Sequence, residues 1–227
     1  MHWFYDPTFT QRSTELTKDE SKHLAALRIQ PGEEIVVTDG RGQSFTCEVE
    51  DPRSGNLTVT AAQGHEKPAI SIHLVQALAK GGRDEMAVQA AVELGVASIT
   101  PWEGANSVAN WRGKEEKGLQ RWQQIAISAM KQSQQAYLPE VRPFSRNPEL
   151  LGEGIALEPS SLTPLSQAPA ATEYTVVVGP EGGFTQKELE ELKVAGFGHY
   201  RLGHSVLRTS SAGPAAISAL LTLRGSW

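Results

Sequence analysis

The chain is short of several things, and each shortage narrows what it can be. Cys47 is the one cysteine among 227 residues, so no internal disulfide can form and a cysteine-built zinc site is argued against. No apolar run reaches the roughly 20 residues that a membrane span needs, so no membrane role is expected. The N-terminal Met1-His2-Trp3-Phe4-Tyr5-Asp6 has no basic stretch followed by an apolar one. A signal peptide is therefore not expected, and a cytoplasmic address is. The six histidines include no H-E-x-x-H pair, so no metal is expected. Positive charge is scarce too: 21 Lys and Arg stand against 26 Asp and Glu, a net charge of -5. Phosphate binding rests on local positive charge, which argues mildly against nucleic acid. A basic face can still sit on an acidic protein, so an RNA reading has to come from motifs. With 39% hydrophobic and 21% charged residues, what remains is an ordinary globular composition. The length suits one large domain or two small ones.

The chain changes character near Gly64-His65-Glu66-Lys67-Pro68. Before it, the pattern is strand-like. Phe45, Cys47 and Val49 alternate with Ser44, Thr46, Glu48 and Glu50, the period of a half-buried strand. Ile35-Val36-Val37-Thr38 precedes it through the turn cluster Asp39-Gly40-Arg41-Gly42, and Leu57-Thr58-Val59-Thr60 follows Ser54-Gly55-Asn56. Three close strands, with a helix expected from Asp19 to Leu27, predict a small β-barrel over residues 1–68. From residue 69 to 227, strands and helices alternate, which predicts an α/β domain with a mainly parallel sheet. Strands are expected at Ile70 to Val75, Ser98 to Thr100, Gly154 to Leu157, Tyr174 to Val178 and Tyr200 to Leu202. Helices are expected at Asp84 to Leu94, on the Leu119, Trp122, Ile125, Ala126, Ala129, Met130 face, and at Ala212 to Leu223. The stretch from Glu158 to Thr172 reads as a loop.

The β-branched run Tyr174-Thr175-Val176-Val177-Val178 suits a central strand covered on both faces. It leads into Gly179-Pro180-Glu181-Gly182-Gly183-Phe184, and Thr185 with Glu188 forms a capping box that opens a helix. Strand, glycine loop, helix N-terminus is a ligand-binding arrangement, because bare backbone admits close approach and offers free N–H groups. A tight turn explains a bare glycine pair equally well. Neither G-x-x-x-x-G-K-[ST] nor G-x-G-x-x-G is present, so nucleotide loops of those kinds do not fit. Gly203-His204-Ser205-Val206-Leu207 half-matches the nucleophile elbow G-x-S-x-G, but Leu207 replaces the second glycine that the sharp turn requires. Ser210 and Ser211 suit helix caps better than nucleophiles.

Taken together, Val178 to Phe184 with Glu188, then Leu202-Gly203 and Val206-Leu207-Arg208-Thr209, resemble the SPOUT methyltransferases of the RsmE type. Those enzymes methylate N3 of a uridine in small-subunit ribosomal RNA. Lys80-Gly81, Arg83, Glu85, Gln89 and Glu93-Leu94-Gly95-Val96 resemble the family's first helix. Ser107-Val108, Arg121-Trp122, Ile125 and Lys131-Gln132-Ser133 resemble its middle. His23, Leu27-Arg28, Pro31-Gly32-Glu33 and Asp39-Gly40-Arg41-Gly42 resemble its N-terminal barrel. The similarity spans nearly the whole chain.

The resemblance implies a PUA-like β-barrel for RNA binding followed by a SPOUT α/β domain with a deep trefoil knot, working as a homodimer on S-adenosylmethionine. Periodicity itself shows no knot, and connections are in general unknotted. On this reading Leu157, Gly179, Glu181, Gly182, Gly183, Leu202, Gly203, Val206, Leu207, Arg208 and Thr209 bind the cofactor. Arg208 would stabilise charge in the reacting base, with a structural ion pair to Glu181 as its alternative role; Glu181 is a candidate base. His23, Arg28, Arg41, Lys80 and Arg83 would touch RNA, though residues 1–68 hold seven basic against eleven acidic residues. Departures exist. Ser210-Ser211-Ala212 stands where the family has Glu-Thr-Ala, Asn106 and Trp3 where arginine is common, and Ala90 where lysine is common. The loss of the acidic residue keeps a non-catalytic RNA-binding or ribosome-assembly factor open as an alternative, and a serine hydrolase as a weaker one.

Overall fold

The computed structural model describes residues 1–147, 149 and 151–227, and its chain divides into two compact units. The first comprises Met1–Lys67 together with Ile127–Leu138; the second comprises Pro68–Ala126 and Pro139–Trp227.

The first unit is a four-stranded sheet in the order β1-β2-β3-β4, with β1 at His2–Tyr5, β2 at Glu34–Thr38, β3 at Gln43–Asp51 and β4 at Asn56–Gly64. β2 to β4 are the antiparallel strands read from alternation: Phe45, Cys47 and Val49 are buried while Glu48 and Glu50 are exposed. β1 is additional. It pairs parallel with β2 and sends Phe4 into the core against Leu24, Ile35 and Val37. Four residues at a chain end are too few for a period to be read. Helix α1, Lys18–Ala26, buries Leu24 on the same core.

The second unit is a six-stranded, all-parallel sheet flanked by helices. In chain order its elements are β5 (Ser71–Ala77), α2 (Arg83–Glu93), β6 (Ser98–Trp102), α3 (Glu115–Gln132), β7 (Glu140–Val141), β8 (Glu153–Leu157), β9 (Glu173–Val178), α4 (Gln186–Val194), β10 (Phe197–Tyr200) and α5 (Thr209–Leu223). The last six residues of α3, Ile127 to Gln132, are grouped with the first unit. The sheet order is β10-β8-β9-β5-β6-β7. β9 lies inside it, and Tyr174 through Val178 are all buried, as its apolar run requires. Val75, Ala77, Trp102, Ala156, Val177, Leu192 and Phe197 form one core cluster with Phe184 packed against it.

Two predicted elements move. The last strand is Phe197–Tyr200 rather than Tyr200 to Leu202: Gly196, at φ 97, turns the chain out of α4 early, and buried Phe197 opens the strand. The last helix begins at Thr209 rather than Ala212, with Pro214 inside it. Gly213-Pro214 hides that first turn in the sequence, since both residues disfavour a helix interior. The capping position belongs to Arg208, so Ser210 and Ser211 lie within the first turn and cap nothing. Among the described residues no helix is long and apolar enough to cross a membrane.

Candidate active site

Parallel strands deliver their loops to one edge, and ligands of such sheets sit beyond the carboxyl ends of the strands. Here those ends are Leu157 of β8, Val178 of β9 and Tyr200 of β10. They open onto a cavity of about 320 Å³. Its walls are Leu157 to Pro159, Val178 to Glu181, Gly183-Phe184, Tyr200 to Gly203, Ser205 to Thr209, Ala212 and Arg83. The glycine loop and the Leu202–Thr209 segment, far apart in sequence, thus share one cavity.

The glycine loop is held at both ends. Behind it, Thr185 caps α4: its Oγ1 accepts from Glu188 N at 3.2 Å, and Glu188 Oε2 accepts from Thr185 N at 2.7 Å. This is the capping box read from T-x-x-E. The other Glu188 oxygen, Oε1, accepts from Ala105 N at 2.7 Å, docking the loop after β6. Asn106 Nδ2 then donates to the carbonyls of Gly182 and Gly183 at 3.2 and 3.1 Å. Gly182 faces this clamp and not the cavity: a Cβ there would lie 2.8 Å from Asn106 Cβ. Asn106, whose lack of charge set it apart in the sequence, positions the loop through its amide. Gly183 has φ 71, which favours glycine.

Glu181 lies in the cavity wall with its carboxylate engaged. Oε1 accepts from Lys80 N at 3.3 Å and stands 3.6 Å from Arg83 Nη1. The expected alternative of an Arg208–Glu181 pair is therefore corrected: the partner is Arg83, because the turn entering α2 reaches the glycine loop. Arg208 is exposed at the cavity rim and has no ion pair among the described residues. Arg83 and Lys80, expected as RNA contacts, belong to this wall or brace it. Asp84 stabilises the same turn, with Oδ2 accepting from Ala79 N at 3.3 Å and Oδ1 from Glu85 N at 2.9 Å. Burial pushes its carboxyl above the ordinary value. Burial, then the negative charge of Glu153, raises the Tyr200 phenol, which stays protonated in the wall.

The two loops are also tied from within. Thr209, 6% exposed, donates from Oγ1 to Gly179 O at 3.1 Å and accepts from Gln76 Nε2 at 3.0 Å. In contrast, residues 202–207 make no hydrogen bond to the rest of the protein among the described residues. Sequence reasoning missed Gln76, Tyr200 and Ala212 as parts of the site, while Phe184 lines the cavity as the end of the expected glycine loop. For Gln76 a signal existed: a polar residue in a buried strand needs a partner.

His23, Arg28 and Arg41 all belong to the first unit. His23 Nδ1 lies 3.3 Å from Glu20 Oε2 and 3.3 Å from Lys131 Nζ, and its ring packs on Phe4 at 5.5 Å. Arg28 is exposed with φ 59, and Arg41 is exposed beside the Tyr137 bridge. No group of three His, Cys, Asp or Glu among the described residues is arranged to hold a metal ion.

Comparison with known proteins agrees with this geometry. The RNA methyltransferase domain model matches residues 65–221, and the RNA methyltransferase PUA domain model matches residues 16–61. The ribosomal RNA small subunit methyltransferase E of Mycobacterium bovis is 36% identical, covering 92% of this chain and 86% of its own. That of Aquifex aeolicus is 31% identical, covering 97% and 99%. The crystal structure of the Neisseria gonorrhoeae enzyme of the same name, bound to S-adenosyl methionine, superposes with a TM-score of 0.88 at 31% identity over 98% of both chains. A PUA unit followed by a parallel-sheet α/β unit, with a glycine-loop cavity at the strand ends and relatives alike over nearly their full length, means that this chain belongs to the RsmE-type family of RNA methyltransferases.

Proposed function

We propose that the protein transfers a methyl group from S-adenosylmethionine to N3 of a uridine in small-subunit ribosomal RNA. The observation that carries this reading is the single cavity shared by the glycine loop and the Leu202–Thr209 segment. Its volume lies within the roughly 300–1,000 Å³ of small-molecule sites. Its lining suits an adenosyl group: Leu157, Leu202 and Leu207 offer apolar faces, while the backbone of 202–207, unbonded among the described residues, offers N–H and C=O groups to a ring edge. Gly203 lines the cavity, and a Cβ there would meet no protein atom within 4 Å. Leu157, Gly179, Glu181, Gly183, Leu202, Gly203, Val206, Leu207, Arg208 and Thr209 would hold the group, with Gly182 acting from behind through Asn106. When bound, S-adenosylmethionine supplies a methyl on a sulfonium, already an activated leaving group, so the reaction needs no metal.

Uridine N3 carries a proton on the Watson–Crick edge, so the target must be unpaired or flipped out. As that proton leaves, charge spreads onto the flanking carbonyl oxygens, and a fixed cation beside them lowers the barrier. Arg208 suits this role: it stands at the cavity rim, immediately before α5, and has no ion pair among the described residues. Glu181 is occupied by Arg83 and the Lys80 amide, which favours bracing of the loop over proton removal. Residues 1–68 act as the RNA-binding PUA-like barrel, with His23, Arg28 and Arg41 as contacts, and residues 69–227 as the methyltransferase domain. The strands and α5 form the trefoil knot of the family. α5 carries no charged residue over its 15 positions, and Met86 and Leu223 are exposed on α2 and α5, which supports burial of this face in a homodimer. The cytoplasm is the compartment of such a substrate. The test is methyl incorporation into small-subunit ribosomal RNA with N3-methyluridine mapping. Arg208→Ala should lower kcat by about 10²–10³-fold and leave the Kd of S-adenosylhomocysteine nearly unchanged, because Arg208 would hold the cofactor through its backbone and the base through its side chain. Near-normal turnover refutes the role of Arg208, and absence of incorporation by the wild type refutes the function.

A further inference from the structure

We propose that Gln76 is a positioning residue that sets the cofactor cavity from inside the core, acting through Thr209 on Gly179. The inference rests on the methyl-donor reading above and names a residue that touches no ligand. Gln76 lies in β5 and is fully buried between Val75 and Ala77. Its Nε2 donates to Thr209 Oγ1 at 3.0 Å, to Ala77 O at 3.1 Å and to Thr209 O at 3.4 Å.

The direction of this chain is forced by chemistry. An amide nitrogen can only donate, so the Thr209 hydroxyl accepts from it. The single hydroxyl hydrogen is left for Gly179 O, 3.1 Å away. Turning the amide over would set Oε1 against the carbonyls of Ala77 and Thr209, so only one orientation fits. The link therefore runs from β5, through the first residue of α5, to the first residue of the glycine loop.

The other end of the amide is the second observation. Gln76 Oε1 is buried and has no hydrogen-bond partner among the described residues. It faces Gly213, where a Cβ would lie 3.3 Å from it. A buried carbonyl without a partner costs stability and calls for an explanation. The donor side supplies one. Among the described residues the 202–207 stretch has no hydrogen bonds of its own to the rest of the protein, so its placement depends on its two attachments, at Arg201, which is bonded to Thr163 and Leu165, and at Thr209. Loosening the attachment at Thr209 transfers the ordering cost to ligand binding.

The experiment uses the full chain, with S-adenosylhomocysteine as the probe, at a temperature where every variant is folded. A change in global stability alone does not move the Kd of folded protein. Gln76→Met and Thr209→Val should each weaken binding about tenfold. Both should speed amide hydrogen exchange at Ser211 and Ala212, whose N–H groups bond Arg208 O in the first turn of α5, in the ligand-free protein. Thr209→Ser retains the hydroxyl and should restore both readouts. Thr175→Val is the control. It removes another fully buried hydroxyl of the sheet, one bonded to Leu151, and should lower the melting temperature without changing Kd. Wild-type binding and exchange in Gln76→Met and Thr209→Val would overturn the inference, as would an equal loss of affinity in Thr175→Val. Failure of the wild type to bind the probe would overturn the methyl-donor reading itself.

Discussion

Replacing Gly182 with alanine tests whether the glycine loop is placed by its neighbours or by its own conformation. Gly182 does not have a positive φ, so alanine meets no backbone strain there. What it meets is Asn106: the new Cβ would lie 2.8 Å from Asn106 Cβ and 3.1 Å from Asn106 O. Both atoms are anchored to the backbone, so the loop after β6 must withdraw. Withdrawal stretches the Asn106 bonds to Gly182 O and Gly183 O and the Ala105 bond to Glu188. Overpacking of this kind costs about 1–3 kcal/mol. The exposed hydrogen bonds, two neutral and one to the Glu188 carboxylate, add at the low end of about 0.5–1.5 kcal/mol each. A total of about 2 kcal/mol, expressed in the cavity, corresponds to about 30-fold in the Kd of S-adenosylhomocysteine by calorimetry. Asn106→Gly removes the nearer contact. In that background Gly182→Ala should lose most of its effect, a non-additivity expected for residues in contact. Binding within twofold of wild type by Gly182→Ala, or the same penalty in both backgrounds, would refute the clamp.

Three other outcomes follow from the structure. Thr185→Ala removes the α4 cap and should cost about 1 kcal/mol, lowering the thermal midpoint by about 2–4 °C; an unchanged midpoint contradicts the capping box. Cys47 is fully buried and burial pushes its thiol up to about 12. It should resist a thiol reagent at pH 8 until denaturant is added, since only thiolate reacts, and rapid labelling of native protein would disprove this. The Asp84 carboxyl is raised in the folded state by burial, so its ionisation opposes folding above the folded pKa. That opposition is relieved as pH falls through the folded pKa toward the unfolded value. The stability of Asp84→Asn relative to wild type should therefore decline as pH is lowered from 7 toward 4, and a constant difference would exclude this linkage.

Much of the architecture was legible because local patterns report local structure. The alternation of Phe45, Cys47 and Val49, the buried run Tyr174 to Val178 and the Thr185–Glu188 box each became the element expected of them. The glycine loop and Leu202 to Thr209 were legible as a site through resemblance, which joined motifs that periodicity treats separately. Edge elements were not legible. β1 and β7, at four and two residues, are too short to show a period, and Gly213-Pro214 masked the true start of α5.

Sequence alone determined that the chain holds a β-rich segment, a parallel α/β segment and a glycine loop with a capped helix behind it, since backbone propensity and period depend on neighbours in the chain. Only the tertiary structure decided the partners. Arg83 rather than Arg208 meets Glu181, Asn106 holds the loop through Gly182, and Gln76 reaches Thr209 from within the core. Those contacts join residues tens of positions to more than a hundred apart, and their distances and donor directions exist only once the strands have been laid side by side.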